Sequence, residues 1–150
     1  IGHIQRRKAP RAMEAADLIH SVDSPRLARR FSRVATDAER RVAVLIQVNT
    51  SGEESKGGFE GEGALERIQE AAELPGLDVR GLMTMAPFVD DEKVLSTSFR
   101  RLRELSERLR SVTDAVGPEL SMGMTNDMEI AIREGSTMIR IGTALFGERD

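Results

Sequence analysis

Cysteine is absent from the 150 residues. That removes a disulfide framework and a thiolate zinc site, leaves no thiol for redox chemistry, and reads as an intracellular, cytoplasmic protein. Tyrosine is absent too, so no phenol can serve as a general base. A surplus of one charge is also missing. Lys+Arg number 22 against Asp+Glu 25, a net charge of -3, which gives no global field toward nucleic acid or an anionic membrane but leaves local basic patches open. No apolar run approaches the roughly 18 residues of a membrane span. The opening Ile1-Gly2-His3 lacks the basic-then-apolar profile of a signal peptide. Nucleic acid and membrane are therefore not expected partners. His3 and His20 stand apart, with no carboxylate or cysteine spacing that would suggest a metal. Both read as hydrogen-bonded structural histidines. An initiating methionine is missing, and the first residues look like a strand in progress, so an upstream part of the protein is expected.

What is present is one domain's worth of chain, with short β-branched runs alternating with amphipathic helical stretches. That alternation predicts an α/β fold with a parallel sheet and crossover helices. Six strands are expected, over residues 1–4, 18–22, 42–48, 79–85, 120–124 and 138–142. A long helix is predicted over 94–116, where Leu95, Phe99, Leu102, Leu105, Leu109, Val112 and Val116 form one stripe and Gly117-Pro118 should stop it. Ser24-Pro25 supplies an N-cap and first-turn proline for a helix bearing Leu27, Phe31 and Val34. A third helix, with Leu65, Ile68 and Ala72 on its face, should end at Leu74-Pro75-Gly76. The run Val-Ala-Val-Leu-Ile-Gln-Val at 42–48 is apolar on both faces, as a buried parallel strand should be. An eight-stranded barrel uses about 31 residues per unit, so this length should hold about five units. Pattern alone leaves a barrel and a doubly wound open sheet equally open.

The informative segments lie near the C-terminus, at 120–129 (Leu-Ser-Met-Gly-Met-Thr-Asn-Asp-Met-Glu) and 135–147 (Gly-Ser-Thr-Met-Ile-Arg-Ile-Gly-Thr-Ala-Leu-Phe-Gly). Together with Ile-Gly-His-Ile-Gln at 1–5, Ile-His-Ser-Val-Asp at 19–23, Ile-Gln-Val-Asn at 46–49, Ser-Gly-Glu-Glu-Ser-Lys-Gly at 51–57 and Gly-Leu-Met-Thr-Met-Ala-Pro at 81–87, they resemble, in order and spacing, the YggS-like pyridoxal 5'-phosphate (PLP) homeostasis family. The resemblance covers essentially the whole chain. It implies a (β/α)8 TIM-type barrel like the N-terminal domain of alanine racemase, here incomplete and lacking about the first two β/α units. Residues 1–150 would be a single partial PLP-binding domain, with the cofactor at the C-terminal strand ends. Six parallel strands in an arc are expected rather than a closed ring, with open edges at 1–4 and 138–142.

Thr125 follows a strand and is placed to cap a helix beginning near Asn126, so its hydroxyl and the first amides would face a bound phosphate. Gly142-Thr143 would form the other half of the cup, glycine admitting the phosphate and threonine donating to it. On the residues alone, the favoured reading is Thr125 as a plain cap and Gly142 as a turn residue. Arg140, two residues before Gly142, should share its face by strand alternation. In the family this arginine looks toward the pyridine nitrogen of PLP, to which it can only donate. Ser121 is a further phosphate or water contact, placed on the side of Thr125. Met83, Met85, Met122 and Met124, at alternating strand positions, read as barrel filling.

The resemblance places the Schiff-base lysine on a strand upstream of residue 1. Of the three lysines present, Lys8 and Lys93 read as solvated, while Lys56 lies in a loop after a strand, on the cofactor side of a barrel. Its glycine-rich surroundings suggest a mobile loop, and its amine could accept or pass on PLP. The implied function is PLP binding for buffering and delivery to PLP-dependent apoenzymes, without substrate turnover. The alternatives are a PLP enzyme such as an amino-acid racemase, for which no second base is visible, and a fragment that holds no cofactor.

Overall fold

The strand-then-helix unit repeats through the residues the computed structural model describes, 1–53 and 55–147. After a 3-10 turn at Arg6–Lys8 come α1 (Ala9–Ala15), β1 (Ile19–Val22), α2 (Pro25–Asp37), β2 (Val42–Gln47), α3 (Ala64–Ala72) and β3 (Leu77–Met83). There follow α4 (Glu92–Val112), β4 (Val116–Met124), α5 (Met128–Arg133), β5 (Met138–Arg140) and α6 (Thr143–Phe146). Ser24 caps α2 as expected: its extended backbone turns the hydroxyl to the Leu27 amide, and Pro25 fills the first turn.

All strand pairs are parallel, in the order β1-β2-β3-β4-β5. The sheet curls. His20 Nδ1 on β1 lies 2.8 Å from Ser121 Oγ on β4, three strands away, where a flat sheet would separate them by roughly 14 Å. A register shift in each of the four pairs accentuates twist and bend. The arrangement is an incomplete β/α barrel. Its convex face carries Ile19, Val44, Ile46, Leu82, Leu120 and Met122, packed in one core with Leu27, Phe31, Ile68, Phe99, Leu102 and Leu109 from the helices. Leu45 and Met83 are fully buried on the other, concave face, so β2 is indeed apolar on both sides.

Among the described residues the strands number five, not six. Residues 1–4 form no strand: Gly2 leaves the extended region at φ 93°, and its carbonyl accepts from the Ser21 hydroxyl rather than from a ladder amide. The open edges are therefore β1 and β5. The long helix also differs from expectation. It starts earlier, because Asp91 accepts from the Lys93 and Val94 amides, and it stops at Val112, where extended Thr113 takes a bond from the Ala115 amide to its own hydroxyl. Val112 is exposed, and Val116 is buried on β4 instead.

Gly117-Pro118 do not follow the helix; they lie inside β4. There Val116 and Glu119 oppose Val79 and Gly81, two residues spanning the gap that Arg80 alone spans on β3. A bulge tolerates both types: proline offers no ladder donor, and glycine allows close backbone approach.

Candidate functional site

Three side chains meet on the concave face toward the C-terminal strand ends. Arg140 closes β5 and is buried. Its Nη1 donates to Ser121 Oγ at 2.9 Å and its Nη2 to the Thr84 carbonyl at 2.9 Å. Its Nε is the one buried side-chain polar atom without a hydrogen-bond partner among the described residues. Burial lowers the Arg140 pKa from its ordinary value, and Asp127 works against that shift. Arginine starts so high that the guanidinium stays charged.

Ser121 is fully buried and joins Arg140 to His20. Because its oxygen accepts from Arg140, its own proton can go to His20 Nδ1, an assignment that leaves a neutral imidazole protonated at Nε2. Burial, and then the charge of Arg140, hold the His20 pKa below its usual value. The unfolded chain therefore takes up the proton first as pH falls, and stability drops from about pH 6.5 down through the lower folded value. The thermal midpoint of the unaltered protein is expected to fall more between about pH 7.5 and about pH 5 than that of a His20→Asn variant, which keeps an acceptor for Ser121 but cannot titrate. Parallel melting curves for the two proteins would refute this.

A hydroxyl chain supports the neighbouring strand ends. Thr84 donates to the Val48 carbonyl at 2.8 Å. Thr50 must then donate to Thr84 at 2.9 Å, and Ser98 to Thr50 at 2.6 Å. This ties the ends of β2 and β3 to α4 and fixes the Thr84 carbonyl that receives Arg140.

The expected phosphate residues sit at the neighbouring ends of β4 and β5, with different local roles. Thr125 does not cap a helix beginning at Asn126. It lies half-buried in the turn after β4, while α5 begins at Met128 with Asp127 as cap residue. The Asp127 carboxylate takes the Met124 amide at 2.6 Å. Gly142 is not on the strand with Arg140; β5 ends at Arg140, and Gly142 caps the four-residue α6. A methyl group added at Gly142 would meet nothing within 4 Å, so that side is open. Thr143 is exposed at the start of α6. The hydroxyls of Thr125 and Thr143 form no hydrogen bond among the described residues. Ser121 meets Arg140 and His20.

Lys56 lies on the same side of the sheet, in the loop after β2. Its Nζ donates to the Ala86 carbonyl at 2.5 Å and stands 3.7 Å from Glu53 Oε2. The loop is cross-tied: Asn49 Nδ2 reaches the carbonyls of Glu53 and Lys56, and Gln47 Nε2 that of Gly57. Lys8 and Lys93 are exposed. His3 is exposed and pairs with Asp23 at 2.9 Å. Met83 and Met122 are fully buried, whereas Met124 is 45% exposed, so only part of the methionine series fills the interior. Among the described residues, no three His, Cys, Asp or Glu side chains are grouped to hold a metal, and no helix is long and apolar enough to cross a membrane.

The family model described as alanine racemase, N-terminal domain, matches residues 1–150. The chain belongs to that family. Among its relatives within it, the pyridoxal phosphate homeostasis protein of Aquifex aeolicus is 44% identical over 149 residues, 99% of this chain and 65% of its own length. The chain thus spans just under two thirds of that relative. PipY of Synechococcus elongatus, solved with PLP bound, aligns with a TM-score of 0.88 at 34% identity, covering 98% of this chain and 68% of PipY. An alanine racemase of Clostridium difficile aligns with a TM-score of 0.83 at 15% identity over 99% of this chain and 39% of its own, a likeness of fold alone. Sequence reasoning singled out Arg140 and Ser121 but not the contacts that join them to His20 and Thr84. His20 was read as purely structural, and Thr84 acts through a backbone carbonyl that no side-chain pattern reveals.

Proposed function

We propose that residues 1–150 form one PLP-binding domain that holds the cofactor at the C-terminal ends of β4 and β5, as part of a cytoplasmic protein that buffers PLP and delivers it to apoenzymes. The observation that carries this reading is Arg140: a buried cation with two donors satisfied inside the sheet and Nε left over. A buried donor left unmatched is costly, and a ligand acceptor would relieve it. The pyridine nitrogen of PLP suits it, since arginine only donates and so keeps that nitrogen unprotonated. The hydroxyls of Thr125 and Thr143 and the open side of Gly142 suit the phosphate. Ser121 serves as a positioning residue for Arg140. When bound, PLP supplies an aldehyde that captures amines and a ring that withdraws electrons, weakly so when its nitrogen is unprotonated. That weakness favours a carrier over a racemase.

The lysine that anchors PLP is proposed to lie upstream of residue 1, in keeping with the greater length of the relatives. Lys56 is proposed as a secondary amine that must first leave the Ala86 carbonyl and Glu53. The test is an absorbance spectrum with added PLP, before and after borohydride reduction, on this chain and on one extended upstream. A reducible covalent adduct on the extended chain alone is the expected result. An adduct on the present chain would make Lys56 the primary amine, and no PLP binding by either chain would end the proposal.

A further inference from the structure

Six arginines surround one surface depression of about 600 Å³, and among the described residues no other lines it: Arg6 and Arg7 from the 3-10 turn, with Arg26, Arg29, Arg30 and Arg33 from α2. We propose that this depression is a second anion site, separate from Arg140, that takes a compact oligophosphate of three or more linked phosphoryl groups.

The four α2 positions are spaced i, i+3, i+4 and i+7, which puts them on one helix face about 10 Å long. Arg30 Nε donates to the Arg6 carbonyl at 3.4 Å, fastening the turn beside the helix so that both sets of guanidinium groups flank the same space. Among the described residues only Arg33 has a carboxylate within reach, Asp37 at 3.9 Å, and both partners are more than 70% exposed, a pairing of little consequence. The remaining positive charge is uncompensated. Its placement also works against the helix. Arg26 lies in the first turn of α2, which contains no acid and where the macrodipole favours one. Arg26/Arg30 and Arg29/Arg33 are like-charge i, i+4 pairs, which disfavour helix. A sequence with net charge -3 has thus placed the four α2 arginines where helix formation disfavours them, and a bound polyanion would offset those effects.

Guanidinium forks favour phosphate, which they can grip bidentately. Among the described residues no aromatic side chain lines the depression, so bases would find no stacking platform, which favours a free oligophosphate over a nucleic-acid strand. The convergence of six cations on one space favours a ligand with several charges close together over a single phosphate.

The test is calorimetric titration of the chain with orthophosphate, pyrophosphate, tripolyphosphate and a single-stranded 20-nucleotide DNA at one ionic strength. Tripolyphosphate is expected to bind at least about tenfold tighter than orthophosphate and tighter than the DNA. Arg29→Glu combined with Arg33→Glu should weaken it at least about tenfold without lowering the melting temperature, and Arg26→Gln combined with Arg30→Gln should weaken it less. Binding that does not depend on phosphate number, binding unchanged in both variants, or tighter binding of the DNA would each overturn the proposal. Because PLP is not a component, failure here leaves the cofactor reading untouched.

Discussion

Alanine at Gly81 is expected to cost about 3 kcal/mol or more of stability, because the added methyl group would overlap backbone rather than side chain. Its Cβ would fall onto the carbonyl oxygen and the peptide of Glu119 on β4, at φ 155°. Neither strand can give way easily. Gly81 is paired with Glu119 on one side and Leu45 on the other, and on β4 a Cβ at Gly117 would in turn fall onto the Arg80 carbonyl. The two glycines let β3 and β4 close on each other at the bulge that curls the sheet. Against a typical domain stability of about 5–15 kcal/mol, the loss is a large fraction. Urea denaturation would measure it, with Gly142→Ala as the comparison. At that position the methyl group meets open space, and a stability change within about 0.5 kcal/mol is expected. Equal midpoints for the Gly81 and Gly142 variants would show that the strands can part without cost.

Methionine at Arg140 is expected to weaken PLP binding to the upstream-extended chain by about tenfold to a hundredfold, the range for losing a hydrogen bond made by a charged group. Methionine keeps much of the side-chain volume but leaves the Ser121 hydroxyl and the Thr84 carbonyl without their 2.9 Å partners. Removing a buried guanidinium relieves its desolvation while orphaning two acceptors, effects of opposite sign, so the stability change should be small compared with that of Gly81→Ala. Arg140→Lys separates the two contributions. A single ammonium can satisfy Ser121 or Thr84 but cannot bridge both and still offer a third donor, so it should preserve the fold while binding PLP nearly as poorly as methionine. Dissociation constants from PLP absorbance titrations, set beside melting temperatures, would check this. Undiminished binding in both variants would remove Arg140 from the cofactor site.

How far the fold was legible depended on how local its cause was. β1 and β2 were found within a residue or two at each end, because a buried parallel strand needs an apolar run whatever surrounds it. The α2 start at Ser24-Pro25 was found because a cap is made by neighbours in sequence. The strand expected at 1–4 failed for the opposite reason: strand formation needs a partner, and apolar alternation does not provide one. The end of α4 was misread because Val112 and Val116 continue the helical stripe, while the stop comes from Thr113 turning extended. Gly117-Pro118, a strong breaker signal in sequence, became a bulge because β3 was there to pair around it.

The candidate site divides the same way. Its residue types came from motifs in the chain: Arg140 inside an apolar strand, and hydroxyls and glycine at strand ends. Their connections did not, because His20, Ser121 and Arg140 are separated by up to 120 positions in sequence and meet only when a five-stranded sheet bends through its bulges. By itself the sequence determined the α/β alternation, the family resemblance and the identity of the cation at the end of β5, since each depends on residues close along the chain. Only the tertiary structure decided that Ser121 meets Arg140 and His20, that Thr84 contributes its carbonyl, and that the arginines of the 3-10 turn and of α2 border one basic depression. Distances between residues remote in sequence are set by sheet curvature and helix packing, which no local pattern encodes.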